Sequence, residues 1–260
     1  MRERILELIQ YRELVRNLVI RDIKLRYRNS VLGFVWSLGN PLLMMTVYTV
    51  LFTIMMPNNA IDKYPIFILC ALLPWNYFNT SIMGAIDSIV GNAHLIKKVY
   101  FPREALPLSI VLANLVNFLL ALTVLFAMLF AFRVRLTPWA LYLPLIIFIQ
   151  TIFTLGLALI FATLNVFYRD TKIIMEVGML AWFFLTPVFY RIEDLVPQYA
   201  RRMYWVNPMA SFISWYRIVL YYGISMEPGF IFRIFVTSIV TLVVGYLVFT
   251  RYSPLFGEEV

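Results

Sequence analysis

Six separated apolar stretches, together more than half of the 260 residues, constrain this chain more than any other feature of its sequence. A helix rising 1.5 Å per residue needs about 20 apolar residues to cross the hydrocarbon of a bilayer, where its backbone polar groups must be satisfied within the protein. The stretches cover 34–56, 66–91, 105–132, 140–166, 173–190 and 230–250. They predict an all-α polytopic membrane protein with six spans. With 62% hydrophobic and 14% charged residues, the chain departs from a soluble domain at roughly 45–50% and about 25%. No polar block is long enough for a second domain, so 1–260 reads as one domain with spans over 34–250, a leading segment 1–33 and a tail 251–260. The opening MRERILELIQYREL is charged and periodic, unlike a signal peptide, and the first span is expected to act as its own insertion signal.

Two spans are weaker than the rest. The second contains Pro74 and reaches Asp87, and the fifth is short and carries Thr186–Pro187, so both are candidates for a bend or a local unwinding. Six crossings place both termini on one side, and the retention of Lys and Arg in the cytoplasm says which. With the termini inside, the cytoplasmic segments hold 14 basic residues. The opposite face holds seven (Lys63, Arg133, Arg135, Arg191, Arg201, Arg202 and Arg217), or eight with Arg233. The bias predicts cytoplasmic termini. Much of the net charge of +8 sits beside a span, which suits an anionic membrane surface and leaves little room for nucleic acid.

Residues 5–28 place Leu8, Tyr11, Val15, Leu18, Asp22 and Leu25 at alternating steps of three and four, an amphipathic helix at the interface. It reads either as a passive anchor or as a mechanical element against a cytoplasmic partner, and Arg21, Lys24, Arg26 and Arg28 before the first span could attract a lipid phosphate. The loop 92–104, NAHLIKKVYFPRE, carries Leu95, Ile96, Val99, Tyr100 and Phe101 beside Lys97, Lys98 and Arg103, with Pro102 expected to close a short helix. Five apolar residues in an exposed loop call for burial, either in the headgroup region or in a groove on another protein. Between the last two spans, 195–222 is too apolar for a solvated loop and too short for a crossing. It reads as re-entrant helices on the outer face.

The chemistry of an enzyme is sparse. Cys70 has no partner for a disulfide, His94 is the one histidine, and no metal set or cofactor-binding motif is visible. The acids near spans, Asp87 and Glu176, fall toward the cytoplasmic ends, where a salt bridge or helix-end role competes with a functional one. None of the five lysines precedes Ser or Thr, so ATP binding through a phosphate-cradling loop is excluded. Aromatic residues cluster at Trp75, Tyr77 and Phe78, and at Trp182, Phe183 and Phe184. Interfacial belts account for many aromatics, but these clusters lie beside Pro74 and Pro187, and ring faces also pack on sugar C–H faces.

Several segments, taken in order, resemble a known family: RDIKLRYRNSVLGFVWSLGNPLLMMTVYTVLF at 21–52, LLPWNYFNTSI at 72–82, LIKKVYFPRE at 95–104, LNVFYRDTKIIMEVGMLAWFFLTPVFY at 164–190 and WVNP at 205–208. The family is the membrane subunit of ABC-2 type polysaccharide exporters, which move O-antigen, teichoic acid or capsular polysaccharide on a polyprenyl carrier. The resemblance implies a homodimer bound to two copies of a cytoplasmic ATPase that holds the ATP and Mg, in a bacterial inner membrane. It implies that 5–28 is a gate helix and that the loop from Leu95 to Arg103 couples to the ATPase. It also implies that 195–222 forms two re-entrant helices and that aromatics line the polymer channel. An exporter of a drug or small lipid from the same superfamily, and a membrane enzyme acting on polyprenyl phosphates, are the alternative readings.

Overall fold

The computed structural model describes residues 10–27, 35–51, 61–192 and 197–260. Among these every regular element is helical. In chain order they are α1 (Arg12–Tyr27), α2 (Val35–Val50), α3 (Tyr64–Ile86), α4 (Ala93–Lys98), α5 (Ala105–Ala131), α6 (Leu143–Phe167), α7 (Thr171–Leu185), α8 (Pro197–Val206), α9 (Pro208–Arg217), α10 (Pro228–Tyr252) and α11 (Phe256–Glu259). A turn of π-helix extends α9 to Tyr222 and ends at Gly223, whose φ of 66° is the left-handed conformation that glycine adopts without strain.

Among the described residues, four helices are long and apolar enough to cross a membrane: α3, α5, α6 with the 3₁₀ turn before it, and α10 running into α11. At 15 residues α7 is shorter, and α2 is described over 16. The early stop of α7 has a local cause. Residues before proline are driven out of the α region, and Thr186, before Pro187, is extended at ψ 135°. Pro74, by contrast, leaves α3 helical from Tyr64 to Ile86. The sequence pattern expected a bend or unwinding at both prolines, and the helix is lost at one.

The bundle is built around α3. In its most apolar window 78% of residues are buried, and Ile66 to Ala71 have no exposed surface. Helices α2, α5, α6, α7 and α9 surround it. α10 is peripheral, with 17% of its window buried, and lies against α6. That contact is backbone to backbone. A Cβ on Gly156 would come within 2.6 Å of the Thr241 carbonyl oxygen, and one on Gly245 would collide with the carbonyl of Gly156. Small residues permit this approach between apolar helices, where packing has to replace the hydrophobic effect.

Candidate functional site

At the end of the bundle that carries α1 and the C-terminus, the loop between α3 and α5 is divided by burial. α4 stops at Lys98, before Pro102 is reached, because Val99 is extended. Ile96 and Phe101 turn inward, 8% and 5% exposed, into a cluster with Val15 and Leu18 of α1, Phe249 of α10 and Phe256 of α11. Val99 and Tyr100 turn outward, Tyr100 with 79% of its surface exposed, and Lys97 and Lys98 are exposed beside them while Leu95 is half-buried. The loop is tied at both flanks. Asn92 donates to the Ser88 carbonyl at 2.8 Å and accepts from Arg21 at 3.1 Å, and Arg103 donates to the Ser253 carbonyl.

Tail residues 251–260 therefore do more than trail. Phe256 is fully buried against Phe249 and Phe167, with ring centroids 5.2 and 6.2 Å away. Of the basic cluster, Arg21 is half-buried and committed to Asp22 at 3.0 Å as well as Asn92. Lys24 is exposed. The Arg26 side chain and Arg28 lie outside the described residues, as do 5–9 of the leading helix. Asp87 is paired with Lys172 at 2.7 Å, joining the ends of α3 and α7.

The aromatic residues picked out by sequence separate into three environments. Trp75, Phe78, Trp182 and Phe183 come together: the Phe78 ring meets Trp182 edge-on at 5.2 Å, and Trp75 lies 5.4 Å from Phe183. Tyr77 is elsewhere, stacked on Phe118 at 5.1 Å and donating to Thr151 at 3.0 Å. Phe184 faces out, 62% exposed, whereas Phe78 has no exposed surface. A cleft of about 330 Å³ opens between α2, α3 and α7. Trp75 and Phe183 line it together with Tyr48, Asn76, Asn79 and Glu176. Sequence reasoning passed over Tyr48, Asn76 and Asn79. The two asparagines three apart on α3 were the available signal.

The opposite end is organised by two polar residues that composition does not single out. Asn207 caps α9 by accepting from the Ala210 amide at 3.2 Å, accepts the Trp182 indole N–H at 2.9 Å, and donates to Thr186 Oγ1 at 2.9 Å. It thereby pins the end of α7 to the start of α9. Arg217, 5% exposed, donates to the carbonyls of Phe67 at 3.3 Å, Pro187 at 2.5 Å, Val188 at 2.5 Å and Tyr190 at 3.4 Å. Its guanidinium also lies 3.4 Å from the Phe67 ring centroid. Of the carbonyls that Pro187 frees from helical bonding, Arg217 thus satisfies those of Pro187, Val188 and Tyr190, and the Tyr64 hydroxyl satisfies that of Phe189 at 2.9 Å.

Among the described residues no three His, Cys, Asp or Glu side chains converge on a metal position. The fold and these sites define a helical integral membrane protein with a braced surface loop at one end and an aromatic, partly polar cleft along its flank. The family model for the ABC-2 type transporter matches residues 13–221. The chain is 37% identical over 255 residues to the O-antigen export system permease protein RfbA of Myxococcus xanthus, covering 98% of each. Two proteins of that name from Klebsiella pneumoniae are 34% and 35% identical, covering 92% of this chain and 91% of theirs. The chain belongs to the ABC-2 type transporter family and is a transporter membrane subunit.

Proposed function

We propose that this chain is the permease of an ATP-driven exporter that carries a polyprenyl-linked polysaccharide across a bacterial inner membrane. In this reading it works as a homodimer with two copies of a separate ATPase, which bind the ATP and Mg and do the hydrolysis. The relatives' names support the polymer, and the observation that carries the coupling role is the divided loop. Ile96, Phe101 and Arg103 fasten it to the bundle while Tyr100 and Val99, flanked by Lys97 and Lys98, are held out for a partner's groove. An anchored loop transmits a push that a floppy one would absorb.

Six crossings are reached when α2 and α7 are counted with the four long helices. The non-helical run from Thr186 continues the path of α7, and such backbone is tolerated at membrane depth where protein groups satisfy it, as Arg217 does here. α8 and α9 are then the re-entrant pair. Burial removes Arg217 from the outer-face charges, which strengthens the bias for cytoplasmic termini. Trp75 and Phe183, with Asn76 and Asn79, offer ring faces and amide groups to sugar. Trp182 and Phe78 back them from behind, Phe184 faces a neighbouring copy or lipid, and Tyr77 is a packing residue. Lys24 remains for a lipid phosphate at the inner surface, with Arg21 bracing the loop, and the sequence adds Arg26 and Arg28 to the same run of charge.

The test is co-purification of tagged chain with a cytoplasmic ATPase in mild detergent, with Tyr100→Ala as the variant. An equimolar ATPase, lost at least tenfold in the variant while the bundle's melting temperature is unchanged, is the expected result. A chain that purifies alone and turns over polyprenyl phosphates would instead establish the enzyme reading.

A further inference from the structure

The hairpin of α5 and α6 carries a groove that polymer export leaves unused. About 590 Å³ opens between the two helices, walled by Leu119, Thr123 and Phe126 on one side and by Leu143, Phe148 and Thr151 on the other. Leu119 and Phe148 are exposed in it. Both hydroxyls of the wall are already committed, Thr123 donating to the Leu120 carbonyl at 2.6 Å and Thr151 to the Ile147 carbonyl at 2.7 Å. What the groove offers a ligand is therefore hydrocarbon. Its lining runs from Leu112 to Phe126 on α5 and from Leu143 to Thr151 on α6, about 21 and 12 Å of helix, against about 15 Å for half the hydrocarbon core of a bilayer. It is one leaflet deep.

At Leu143 the groove meets the loop 132–142, which is cationic. Arg133 and Arg135 are exposed, and among the described residues neither side chain has an ion-pair or hydrogen-bond partner. From Ala105 to Arg169 the chain holds no Asp or Glu, and the flanking acids Glu104 and Asp170 stand at the far ends of the two helices. Arg133 is held in place by the way α5 ends. Its amide donates to the Phe130 carbonyl at 3.0 Å and that of Val134 to the Leu129 carbonyl at 2.9 Å, with Arg133 at φ 53° in the left-handed position that glycine usually occupies. Trp139 and Tyr142, both exposed and stacked with ring centroids 6.1 Å apart, mark the level of the headgroups as interfacial aromatics do.

A cationic rim over a hydrocarbon slot one leaflet deep is complementary to a lipid with an anionic head. We propose that the groove holds an acyl chain of an anionic phospholipid whose phosphate pairs with Arg133 and Arg135. A zwitterionic phospholipid has the same chains, but its ammonium cancels the charge that the rim selects. This binding does not depend on what the protein exports, and the topology proposed above puts the lipid in the outer leaflet.

The experiment is native mass spectrometry of the full-length protein, delipidated in neutral detergent and titrated with phosphatidylglycerol or with phosphatidylcholine of the same acyl chains. The parent is expected to bind phosphatidylglycerol at least tenfold tighter. Arg133→Gly combined with Arg135→Gln removes both charges and relieves the left-handed residue, so the fold is not put at risk. It is expected to lose one tightly bound phosphatidylglycerol per chain and to hold phosphatidylcholine within threefold of the parent. Leu119→Trp, which fills the groove, is expected to lose the same lipid with the number of chains in the complex unchanged. Equal affinity for the two lipids, an unchanged phosphatidylglycerol count in the arginine variant, or retention of the lipid in Leu119→Trp overturns the proposal. Chains that separate in Leu119→Trp also overturn it, and give the groove to a second copy.

Discussion

Replacing Asn207 by Ala removes a residue that joins α7 to α9 through three kinds of hydrogen bond. The cap on the Ala210 amide is worth about 1 kcal/mol. The Trp182 indole N–H, half-buried and bonded to Asn207 at 2.9 Å, loses its acceptor, at a cost of about 1–3 kcal/mol. Thr186 loses nothing as a donor, because its hydroxyl already bonds the Trp182 carbonyl at 2.7 Å. The sum, about 2–4 kcal/mol, is roughly a 30- to 1,000-fold change in the local opening equilibrium. Asn207→Asp keeps both acceptor roles and gives up the donors to Thr186 and Leu185, so it should recover at least half of the loss. The assay is amide hydrogen exchange of the detergent-solubilised protein over 182–190 and 207–214, paired with thermal unfolding. An Ala variant within about 0.5 kcal/mol of the parent, the size of an ordinary surface substitution, would refute this account. So would an Asp variant no better than Ala.

Gly245→Leu should drive α10 off α6, since even a Cβ collides with the Gly156 carbonyl; overpacking costs about 1–3 kcal/mol or more, and a lower unfolding midpoint in detergent with loss of a close α6–α10 cross-link checks it. Phe256→Ala empties a fully buried ring site at about 3–5 kcal/mol. It is expected to free the braced loop, read as faster tryptic cleavage after Lys97 and Lys98 with the helix content of the bundle unchanged. Lys172→Ala should be nearly silent, because its pair with Asp87 is about half exposed on both sides and such pairs contribute roughly 0.2–1 kcal/mol; a midpoint shift above that range would show the pair to be structural.

What the sequence made legible was whatever depends on period and length. The long spans are read within a few residues because apolar runs of that extent have one outcome in hydrocarbon. The stop at Thr186 follows from the proline after it, whereas α3 runs through Pro74, where five packed helices confine it and a break had nowhere to go. Direction within an element was less legible. In LIKKVYFPRE the apolar residues all looked alike, and it is a cluster with Val15 and Leu18 of α1, Phe249 of α10 and Phe256 of α11, the last two more than 140 residues downstream, that takes Phe101 inward while Tyr100 stays out. Burial likewise divides the aromatic residues, as stacking partners come from α5 and α6, which no local pattern on α3 can name. Arg217 is the sharpest case. Counted along the chain it is one more outer charge, and its role exists only because the carbonyls of Pro187, Val188 and Tyr190 were left without helical partners. A proline that breaks one helix and an arginine 30 residues later that repairs the break are a single device, and either residue read alone suggests a defect.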